Sequence, residues 1–370
     1  MTIKNKAYIT STALICCSGT NEADLFHNIC TKNSFIKTDA NYFNNTPAAL
    51  GKIDSENNFF DDLILKCEEL LLKSNLTNFK ETLLIVGSSV GGIAITEDIY
   101  FTNGDYKKIN PNYHNINTIQ TLLEKKFTFL DGLSFSTACT SSANALGYAH
   151  EVISKGIYKN VLVLGIDQLS QTTVGGFLSL GVLSSKPCKP FDINREGMNV
   201  SEAIAAILIQ SEPTKNSVEL CGVGYSSDAY HMTHPHPDGL GAKSAMEKAL
   251  QQANITSDDI DYINAHGTGT QANDSAEANA IESLFGNKPF VSSTKSITGH
   301  TLGAAGAVEA IICKLIINNQ TIPTNTNLAM QENVNINLTM ENIKQKIDYT
   351  ISNSFAFGGN NCSLIFGKVK

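Results

Sequence analysis

The sequence lacks an excess of basic residues. Lys and Arg together number 27 against 35 Asp and Glu, which gives a formal net charge of −8 at pH 7. This balance argues against a nucleic-acid binder, which needs a basic face for the phosphate backbone, and it offers no polybasic patch for anionic lipid. With 42% hydrophobic and 17% charged residues, the composition also excludes wholesale disorder.

The sequence also lacks a long hydrophobic run and any CxxC pair. No apolar stretch reaches the roughly 18 residues of a membrane span. Lys4 and Lys6 precede an apolar stretch, as in a signal peptide, but Thr-Ser-Thr at residues 10–12 interrupts it, so we predict a strand there. Because nine cysteines without CxxC spacing favour neither a zinc site nor a disulfide framework, we predict a cytoplasmic protein.

Proline is scarce, with 9 residues against 27 Gly, so no Pro-rich linker is present. Short apolar runs alternate with amphipathic stretches, which is typical of an α/β fold with largely parallel sheets. The predicted strands are residues 83–86, 134–137, 161–164, 260–263 and 290–292. The predicted helices, both rich in Ala, are residues 141–153 and 303–317.

Two pairs of segments repeat one pattern of a strand followed by a turn or loop of small residues. The pairs are residues 134–153 with 290–316, and residues 83–92 with 261–270. Such a repeat indicates a duplicated chain. Since the polar segment 211–217 separates the copies, we predict one half over residues 1–212 and another over residues 213–370.

Cys139 lies in STACTSSANAL, where a predicted strand gives way to a predicted helix. A thiol at a helix start faces free backbone N–H groups and the positive end of the helix dipole. Both favour the thiolate and lower the pKa of the thiol, which makes a nucleophile. The alternative is a buried structural cysteine.

Two histidines lie in Gly/Thr-rich turns, His266 in NAHGTGT and His300 in TKSITGHTLGAAGA. These turns adjoin predicted strand ends, where open α/β sheets bind ligands, and neither histidine lies on the apolar periodic face of a core residue. With a cysteine at the equivalent turn of the first half, they form a Cys–His–His set that duplication would bring to one cavity.

Lys295 shares its turn with His300, and Glu309 lies 14 residues beyond Lys295 in an otherwise apolar predicted helix. A carboxylate there is costly to bury without a partner, so the pattern favours an ion pair over an exposed Glu. Residues 354–367, SFAFGGNNCSLIFG, contain glycines that permit close backbone approach. Their N–H groups suit an oxyanion hole, with a simple hairpin turn as the alternative.

Six segments together resemble the β-ketoacyl-acyl-carrier-protein synthases of the thiolase superfamily, the fatty-acid elongating type. They are STACTSSANAL, KPFDINREGMNVSEA, SSDAYHMTHP, NAHGTGTQANDSAE, STKSITGHTLGAAGAVEA and SNSFAFGGNNCSLIFG. One alone would be weak, but all six follow the family's order, and the likeness extends over nearly the whole chain. The resemblance implies a five-layer αβαβα thiolase fold built from two duplicated halves.

The resemblance also implies roles for individual residues. Cys139 matches the acyl-accepting nucleophile of the first half. His266 and His300 match the second half's pair for malonyl decarboxylation, and Lys295 with Glu309 matches the supporting ion pair. The residues that match substrate- or pantetheine-binding positions are Thr268, Thr270, Val90, Phe177, Phe357 and Gly358. The backbone N–H groups of Cys139 and Phe357 match the oxyanion hole.

The implied reaction is a decarboxylative Claisen condensation of malonyl carrier protein with an acyl group on Cys139, in fatty-acid, polyene or polyketide-like chain elongation. The implied partners are an acyl carrier protein and a second subunit, as a homodimer or as a heterodimer with a related chain. No metal and no resident cofactor are expected, because phosphopantetheine arrives on the carrier protein.

The chain departs from the family pattern at several positions. Residues 201–204 read Ser-Glu-Ala-Ile where the family usually has GEGA, Ala356 and Asn360 replace a Gly and a Thr, and Gly181 stands where an entrance Arg is common. The chain is also shorter than the common form, and we assign the shortening to residues 106–130. These departures favour a specialised synthase.

A related enzymatic alternative is a thiolase or a synthase that uses coenzyme A, and the two histidines count against a thiolase, which uses one His and a second Cys. Three further alternatives compete with this interpretation. GSSVG follows a predicted strand and fits the G-x-S-x-G motif of a serine hydrolase that uses Ser89. His231, His234 and His236 form an H-x-x-H-x-H pattern that suggests zinc. The third is a non-catalytic chain-length-factor-like partner subunit, against which the presence of Cys139 counts.

Overall fold

The computed structural model describes residues 5–43, 46–331 and 334–369. The strands are β1 (Tyr8–Cys16), β2 (Lys37–Phe43), β3 (Thr46–Leu50), β4 (Thr82–Gly87), β5 (Asp131–Phe135), β6 (Asn160–Asp167), β7 (Ala203–Gln210), β8 (Val218–Ser227), β9 (Tyr262–Asn264), β10 (Phe290–Ser292), β11 (Thr321–Ile322), β12 (Asn337–Leu338), β13 (Ile343–Lys344), β14 (Tyr349–Phe355) and β15 (Asn360–Lys368). The helices are α1 (Glu22–Thr31), α2 (Phe59–Lys73), α3 (Ile93–Asn103), α4 (Thr118–Lys126), α5 (Ser141–Ser154), α6 (Gln171–Ser179), α7 (Leu240–Ala253), α8 (Gln271–Phe285), α9 (Lys295–Thr298) and α10 (Ala305–Asn319).

The two halves build sheets of the same topology. The first has the strand order β5-β4-β6-β7-β1 and the second has β10-β9-β14-β15-β8, with β12 added beyond β10. In each, the second strand of this order pairs in parallel with both neighbours, and the last three strands pair antiparallel. A short pairing of β1 with β8 joins the two sheets. The matching order confirms that the fold consists of two duplicated halves.

The sheets and helices form five layers. Helices α5 and α10 lie between the sheets, and their side chains share one core with strands of both halves. Helix α2 and helix α4 cover the outer face of the first sheet, and α7 and α8 cover that of the second. Each fully buried Leu or Ile contributes about 1.5–3 kcal/mol to folding, so the stability of the fold depends on this sandwich. The αβαβα prediction is confirmed.

Small residues bring the central helices together. A Cβ added at Gly306 of α10 would lie 2.6 Å from the backbone N of Ala143 on α5, and one at Gly165 would lie 2.5 Å from the Cβ of Ala307. Such distances exclude a larger side chain without movement of the backbone. The Ala- and Gly-rich composition of these helices therefore sets the width of the middle layer, into which the candidate active-site turns project.

The predicted elements form, with shifted ends. The N-terminal stretch is strand β1, as predicted. The predicted strand 134–137 ends at Phe135, because Ala138 takes a left-handed backbone conformation with φ +54° that turns the chain towards α5. Helix α10 begins at Ala305, after a 3-10 turn over Leu302–Ala304.

Residues Leu302–Asn319 are long and apolar enough to span a membrane, with a mean hydropathy of 1.4. However, 83% of this segment is buried inside the protein, where α10 packs between the two sheets. The segment is therefore the core helix of the fold, and its hydrophobicity comes from contact with sheets on both sides.

Candidate active site

Cys139 lies in the turn between β5 and α5, with its side chain 9% exposed. Burial raises the pKa of its thiol to about 12, while the charge of Lys295 and the backbone N–H groups of Cys139 and Phe357 act in the opposite direction. The predicted N–H donors are thus present, but the prediction of a lowered pKa is wrong. Burial outweighs the donors, so the thiol is protonated near neutral pH.

The imidazole rings of His266 and His300 face each other. Their centroids are 5.1 Å apart, the ring planes are nearly perpendicular, and both residues are at most 2% exposed. Nδ1 of His300 accepts a hydrogen bond from the backbone N of Leu302 at 3.2 Å, which places the proton of the neutral ring on Nε2. Burial first, and the charge of Lys295 second, lower the pKa of both histidines well below its usual range. Both rings are therefore neutral near pH 7, and Nδ1 of His266 has no hydrogen-bond partner among the described residues.

The His266 turn is held by a carboxylate that the sequence analysis did not single out. Glu277 of α8 accepts hydrogen bonds from the backbone N–H groups of His266 and Gly267, both at 2.8 Å, and from the side chain of Asn353 at 3.2 Å. Burial raises the pKa of Glu277 to about 7. Its place in NAHGTGTQANDSAE, one helix turn after Asp274, was the available signal.

The His300 turn is held by the other half of the chain. The backbone N of His300 donates to the carbonyl oxygen of Asn199 at 2.7 Å, and the backbone N of Ser201 donates to the carbonyl oxygen of His300 at 3.0 Å. Gly299, with φ +67°, lets the chain pass, since a Cβ there would lie 2.5 Å from that of Ser201. The two halves are thus joined directly at the histidine.

Lys295 and Glu309 form a buried ion pair between α9 and α10, at 1% and 2% side-chain exposure. Burial raises the pKa of Glu309, and the ammonium group of Lys295 opposes that rise. The same ammonium group influences the titration of Cys139 and of both active-site histidines. Lys295 is therefore the central positive charge of the site.

One cavity of about 400 Å³ brings these groups together. Its lining includes Cys139, His266, His300, Phe355, Phe357 and Gly358. The hydroxyls of Thr268 and Thr270, also on its wall, are 2.9 Å apart, and the rings of Phe177 and Phe357 are 6.1 Å apart between centroids. The Cys–His–His set predicted from two separate halves therefore shares one space.

Val90, predicted to bind substrate, is not among the residues that line this cavity, so its role stays a prediction. Its backbone N donates to Asp167 at 3.1 Å, and its side chain belongs to an apolar cluster with Leu169 and Leu302. Phe177 packs against that cluster and also lines the cavity. Val90 therefore belongs to the apolar cluster against which the cavity-lining Phe177 packs.

Comparison with known proteins decides the family. The family described as "Beta-ketoacyl synthase, N-terminal domain" matches residues 30–215, and "Beta-ketoacyl synthase, C-terminal domain" matches residues 218–329. The chain belongs to the β-ketoacyl synthase family. This ketosynthase is accordingly an acyltransferase-type condensing enzyme that forms carbon–carbon bonds.

Relatives and solved structures agree with that assignment. A 3-oxoacyl-[acyl-carrier-protein] synthase 2 from Coxiella burnetii is 35% identical over 327 residues, which cover 82% of the ketosynthase and 79% of the relative. One from Vibrio harveyi is 35% identical over 311 residues, with 77% and 74% covered. A chain from the complex of the ketosynthase ApeO with its chain length factor ApeC, from Xenorhabdus doucetiae, superimposes with a TM-score of 0.88 at 31% identity, covering 99% of the ketosynthase and 98% of that chain.

Ser89 of the ketosynthase forms hydrogen bonds that stabilise the fold. Its hydroxyl donates to the buried carboxylate of Asp167, which also accepts the backbone N–H groups of Ser89 and, at 2.6 Å, of Gly303. No histidine within the described residues hydrogen-bonds Ser89. The geometry therefore lacks the nucleophile–base contact of a serine hydrolase, and Asp167 instead ties the loop after β4 to the start of α10.

The three histidines of the H-x-x-H-x-H pattern separate. His231 and His234 line the cavity with Nδ1 atoms 3.2 Å apart, whereas the ring of His236 packs 5.0 Å from that of Tyr230. In residues 5–43, 46–331 and 334–369, no group of three or more His, Cys, Asp or Glu residues is placed to hold a metal ion. The zinc interpretation finds no support in the geometry.

The departures from the family pattern have structural explanations. The carboxylate of Glu202 accepts the backbone N–H groups of Ile53 at 2.8 Å and Leu169 at 3.1 Å, so residues 201–204 anchor neighbouring loops. Ala356 lies outside the left-handed backbone region that Gly358 and Gly359 occupy, so a Cβ is tolerated there. Asn360 is exposed at the start of β15.

Proposed function

We propose that the ketosynthase is a 3-oxoacyl-acyl-carrier-protein synthase that condenses an acyl group on Cys139 with malonyl carrier protein. One observation carries the proposal: a thiol from the first half and two neutral imidazoles from the second line one cavity. A nucleophile and a pair of uncharged N–H donors are the groups that acyl transfer followed by enolate formation requires.

In the first step the sulfur of Cys139 attacks the thioester carbon of the acyl carrier protein. The new S–C bond forms, the carrier's C–S bond breaks, and the thiol proton leaves with the carrier's thiolate, so charge is conserved. The backbone N–H groups of Cys139 and Phe357, which both favour the thiolate of Cys139, would hold the oxyanion of the tetrahedral intermediate. The thiolate is the attacking form of the sulfur, so Cys139 gives up its proton as the S–C bond forms, and that proton ends on the carrier's leaving thiolate.

In the second step malonyl carrier protein occupies the same cavity. N–H groups of His266 and His300 would donate to its thioester oxygen while the carboxylate leaves as CO₂, and the electron pair forms an enolate. The enolate carbon attacks the acyl carbon on Cys139, and the sulfur departs as a thiolate opposite Lys295. Neutral donors suit an enolate, since a nearby carboxylate would destabilise it.

The phosphopantetheine arm is part of the carrier substrate, so the reaction uses no resident cofactor. Thr268 and Thr270 present adjacent hydroxyls on the cavity wall, which suit the amides of such an arm. Gly358, with φ +87°, permits the turn that brings the backbone of Phe357 to the sulfur. These contacts would orient the arm towards Cys139.

We also propose a dimer, a division of the chain between residues 212 and 213, and a cytoplasmic location. The ApeO–ApeC complex is a ketosynthase paired with a chain length factor, which supports a heterodimer with a related subunit as well as a homodimer. Within the described residues, strand β5 ends the first sheet and pairs only with β4, and such sheet edges commonly pair or are covered. The proposed division falls in the turn between β7 and β8.

A chain-length-factor-like role is the second candidate, supported by the same complex. The complete set of Cys139, His266 and His300 on one cavity argues against it, since a non-catalytic partner has no use for a nucleophile. The departures at residues 201–204 and Ala356 support a specialised substrate, of the polyene or polyketide-like class, for an active enzyme.

Incubation with acyl carrier proteins of graded chain length, followed by intact mass measurement, tests the proposal. We expect one acyl adduct per chain, mapped to Cys139 and missing in Cys139→Ala. Condensation should follow on addition of malonyl carrier protein. Absence of any adduct with every carrier tested, in the purified chain and in its complex with a related subunit, would support the partner-subunit role instead.

A further inference from the structure

Helix α6 carries Phe177, yet its sequence favours a helix poorly. Its nine residues are Gln-Thr-Thr-Val-Gly-Gly-Phe-Leu-Ser, with three β-branched residues and two glycines. β-Branched side chains lose rotamer freedom in a helix, and glycine has the highest backbone entropy to lose. Since isolated helices shorter than about 12 residues are marginal in water, α6 depends on its surroundings for order.

The start of α6 is held by a carboxylate from another helix. The two carboxylate oxygens of Glu97, on α3, accept hydrogen bonds from the backbone N–H groups of Gln171 and Thr172, both at 2.7 Å. The hydroxyl of Ser170 accepts the next one, from Thr173, at 3.1 Å. The free N–H groups of the first turn are thereby satisfied, with a negative charge at the positive end of the helix.

Phe177 transmits the position of α6 to the cavity. Its ring lines the cavity 6.1 Å from that of Phe357, and it also packs against the apolar cluster that contains Val90 and Leu302. Val174, on the same helix, is fully buried in that cluster. A change in the order of α6 therefore moves the boundary between the cavity and the apolar cluster behind it.

We propose that Glu97 is a positioning residue that sets the acyl-chain selectivity of the ketosynthase by fixing the start of α6 and, through it, Phe177. This inference rests on the proposed function, because it assumes that an acyl chain occupies the space beside Phe177. Glu97 itself lies on α3, outside the residues that line the cavity.

The test is a rescue experiment on α6. Glu97→Ala removes both hydrogen bonds, and Gly176→Ala strengthens the same helix without a clash, since a Cβ at Gly176 meets nothing within 4 Å. We expect Glu97→Ala to increase hydrogen exchange at the amides of residues 171–179, and the double variant to restore protection. This readout does not depend on any substrate.

The second readout is the ratio of Cys139 acylation by the longest and the shortest accepted carriers. Release of Phe177 should raise this ratio about tenfold in Glu97→Ala, because part of the free energy of the two lost charge-assisted hydrogen bonds appears as a change in selectivity. Gly176→Ala in the same chain should return it towards the wild-type value. Asp98→Ala, a change at the next and exposed residue of α3, is the matched control and should leave both readouts unchanged.

The outcomes separate the inference from the proposed function. If the wild-type chain is acylated and Glu97→Ala leaves the ratio of long-chain to short-chain acylation unchanged, or lowers acylation by all carriers equally, the positioning role alone is overturned. A changed ratio that Gly176→Ala does not correct has the same consequence. A wild-type chain that no carrier acylates contradicts the proposed function and with it the selectivity role, whatever happens to exchange in α6.

Discussion

The two halves place their functional turns at the same point of the same topology, but the turns differ in length. In the first half, residues 136–140 connect β5 to α5 and carry Cys139 directly to the helix start. In the second half, residues 293–304 connect β10 to α10 and make room for α9, Lys295 and His300. The first turn sets one sulfur beside backbone N–H groups, whereas the longer second turn also carries a short helix, a buried lysine and the imidazole of His300, whose Nδ1 accepts from the backbone N of Leu302.

Burial raises the proton affinity of the cysteine and lowers that of the two histidines, and in each case it favours the neutral form. It raises the pKa of Cys139 to about 12 and lowers the pKa of His266 and His300 well below the usual range. All three reacting groups are consequently neutral near pH 7. Lys295 lies on the second turn and Glu309 on the helix that follows it, and the two form a buried ion pair beside these groups.

The largest expected effect comes from the first turn. Cys139→Ala removes the acyl acceptor, and we expect condensation to fall by at least about 10³-fold, because the other groups of the site cannot form the covalent intermediate. Product formation from acyl and malonyl carrier proteins measures this loss. Full product formation by the variant would refute the nucleophile.

The next effect concerns the charge of the second turn. Lys295→Met leaves the carboxylate of Glu309 buried without a partner, and we expect the free energy of unfolding to fall by about 3–5 kcal/mol. Urea denaturation measures it. Replacing both residues, as Lys295→Met with Glu309→Leu, should recover most of the loss, and a single variant as stable as the wild type would contradict the buried pair.

His300→Ala should separate the two chemical steps. Removal of one enolate donor should slow CO₂ release from malonyl carrier protein roughly 10²–10³-fold, while acylation of Cys139 changes little. Trapped acyl-enzyme, weighed by mass spectrometry, and CO₂ release are the paired measurements. Loss of acylation without loss of decarboxylation would show that His300 acts in the acylation step and would contradict this prediction.

The stability of the protein at low pH should depend on His150, a histidine that is buried in its neutral form in the middle layer. Burial lowers the pKa of His150, on α5, to about 4, so the unfolded chain binds a proton at a higher pH than the folded chain. The contribution of the neutral imidazole of His150 to the free energy of unfolding is fully present above about pH 6.5. Up to about 3 kcal/mol of it is lost between pH 6.5 and 4. Denaturation of His150→Leu should show a weaker pH dependence over that range, and an unchanged curve would exclude His150 as a cause.

The smallest expected effect is at Val90. Val90→Phe adds volume to the apolar cluster behind Phe177, so the cavity should accept shorter acyl chains, by a few-fold in acylation rates. Product profiles with graded carriers measure this change. An identical profile would place the acyl chain elsewhere.

The sequence predicted the parts of the molecule that depend on local pattern. The strand–turn–helix repeats gave the duplicated fold, and the turn residues Cys139, His266 and His300 were found because small and polar residues at strand ends mark a site. The pKa of Cys139 was mispredicted, since the degree of burial depends on packing from the distant Gly-rich loop. Glu97 was missed, because backbone hydrogen bonds to a carboxylate on another helix follow no spacing rule in the sequence. Glu277 was missed although its position one helix turn after Asp274 in the same motif was a signal.

The most direct test of the account is CO₂ release from malonyl carrier protein by Cys139→Ala, compared with the same chain that also carries His266→Ala. If the imidazole pair performs decarboxylation independently of the sulfur, Cys139→Ala releases CO₂ without forming a carbon–carbon bond, and the double variant releases none above background. Release abolished by Cys139→Ala alone, in a chain that still folds and binds the carrier, would contradict the division of labour between the two halves.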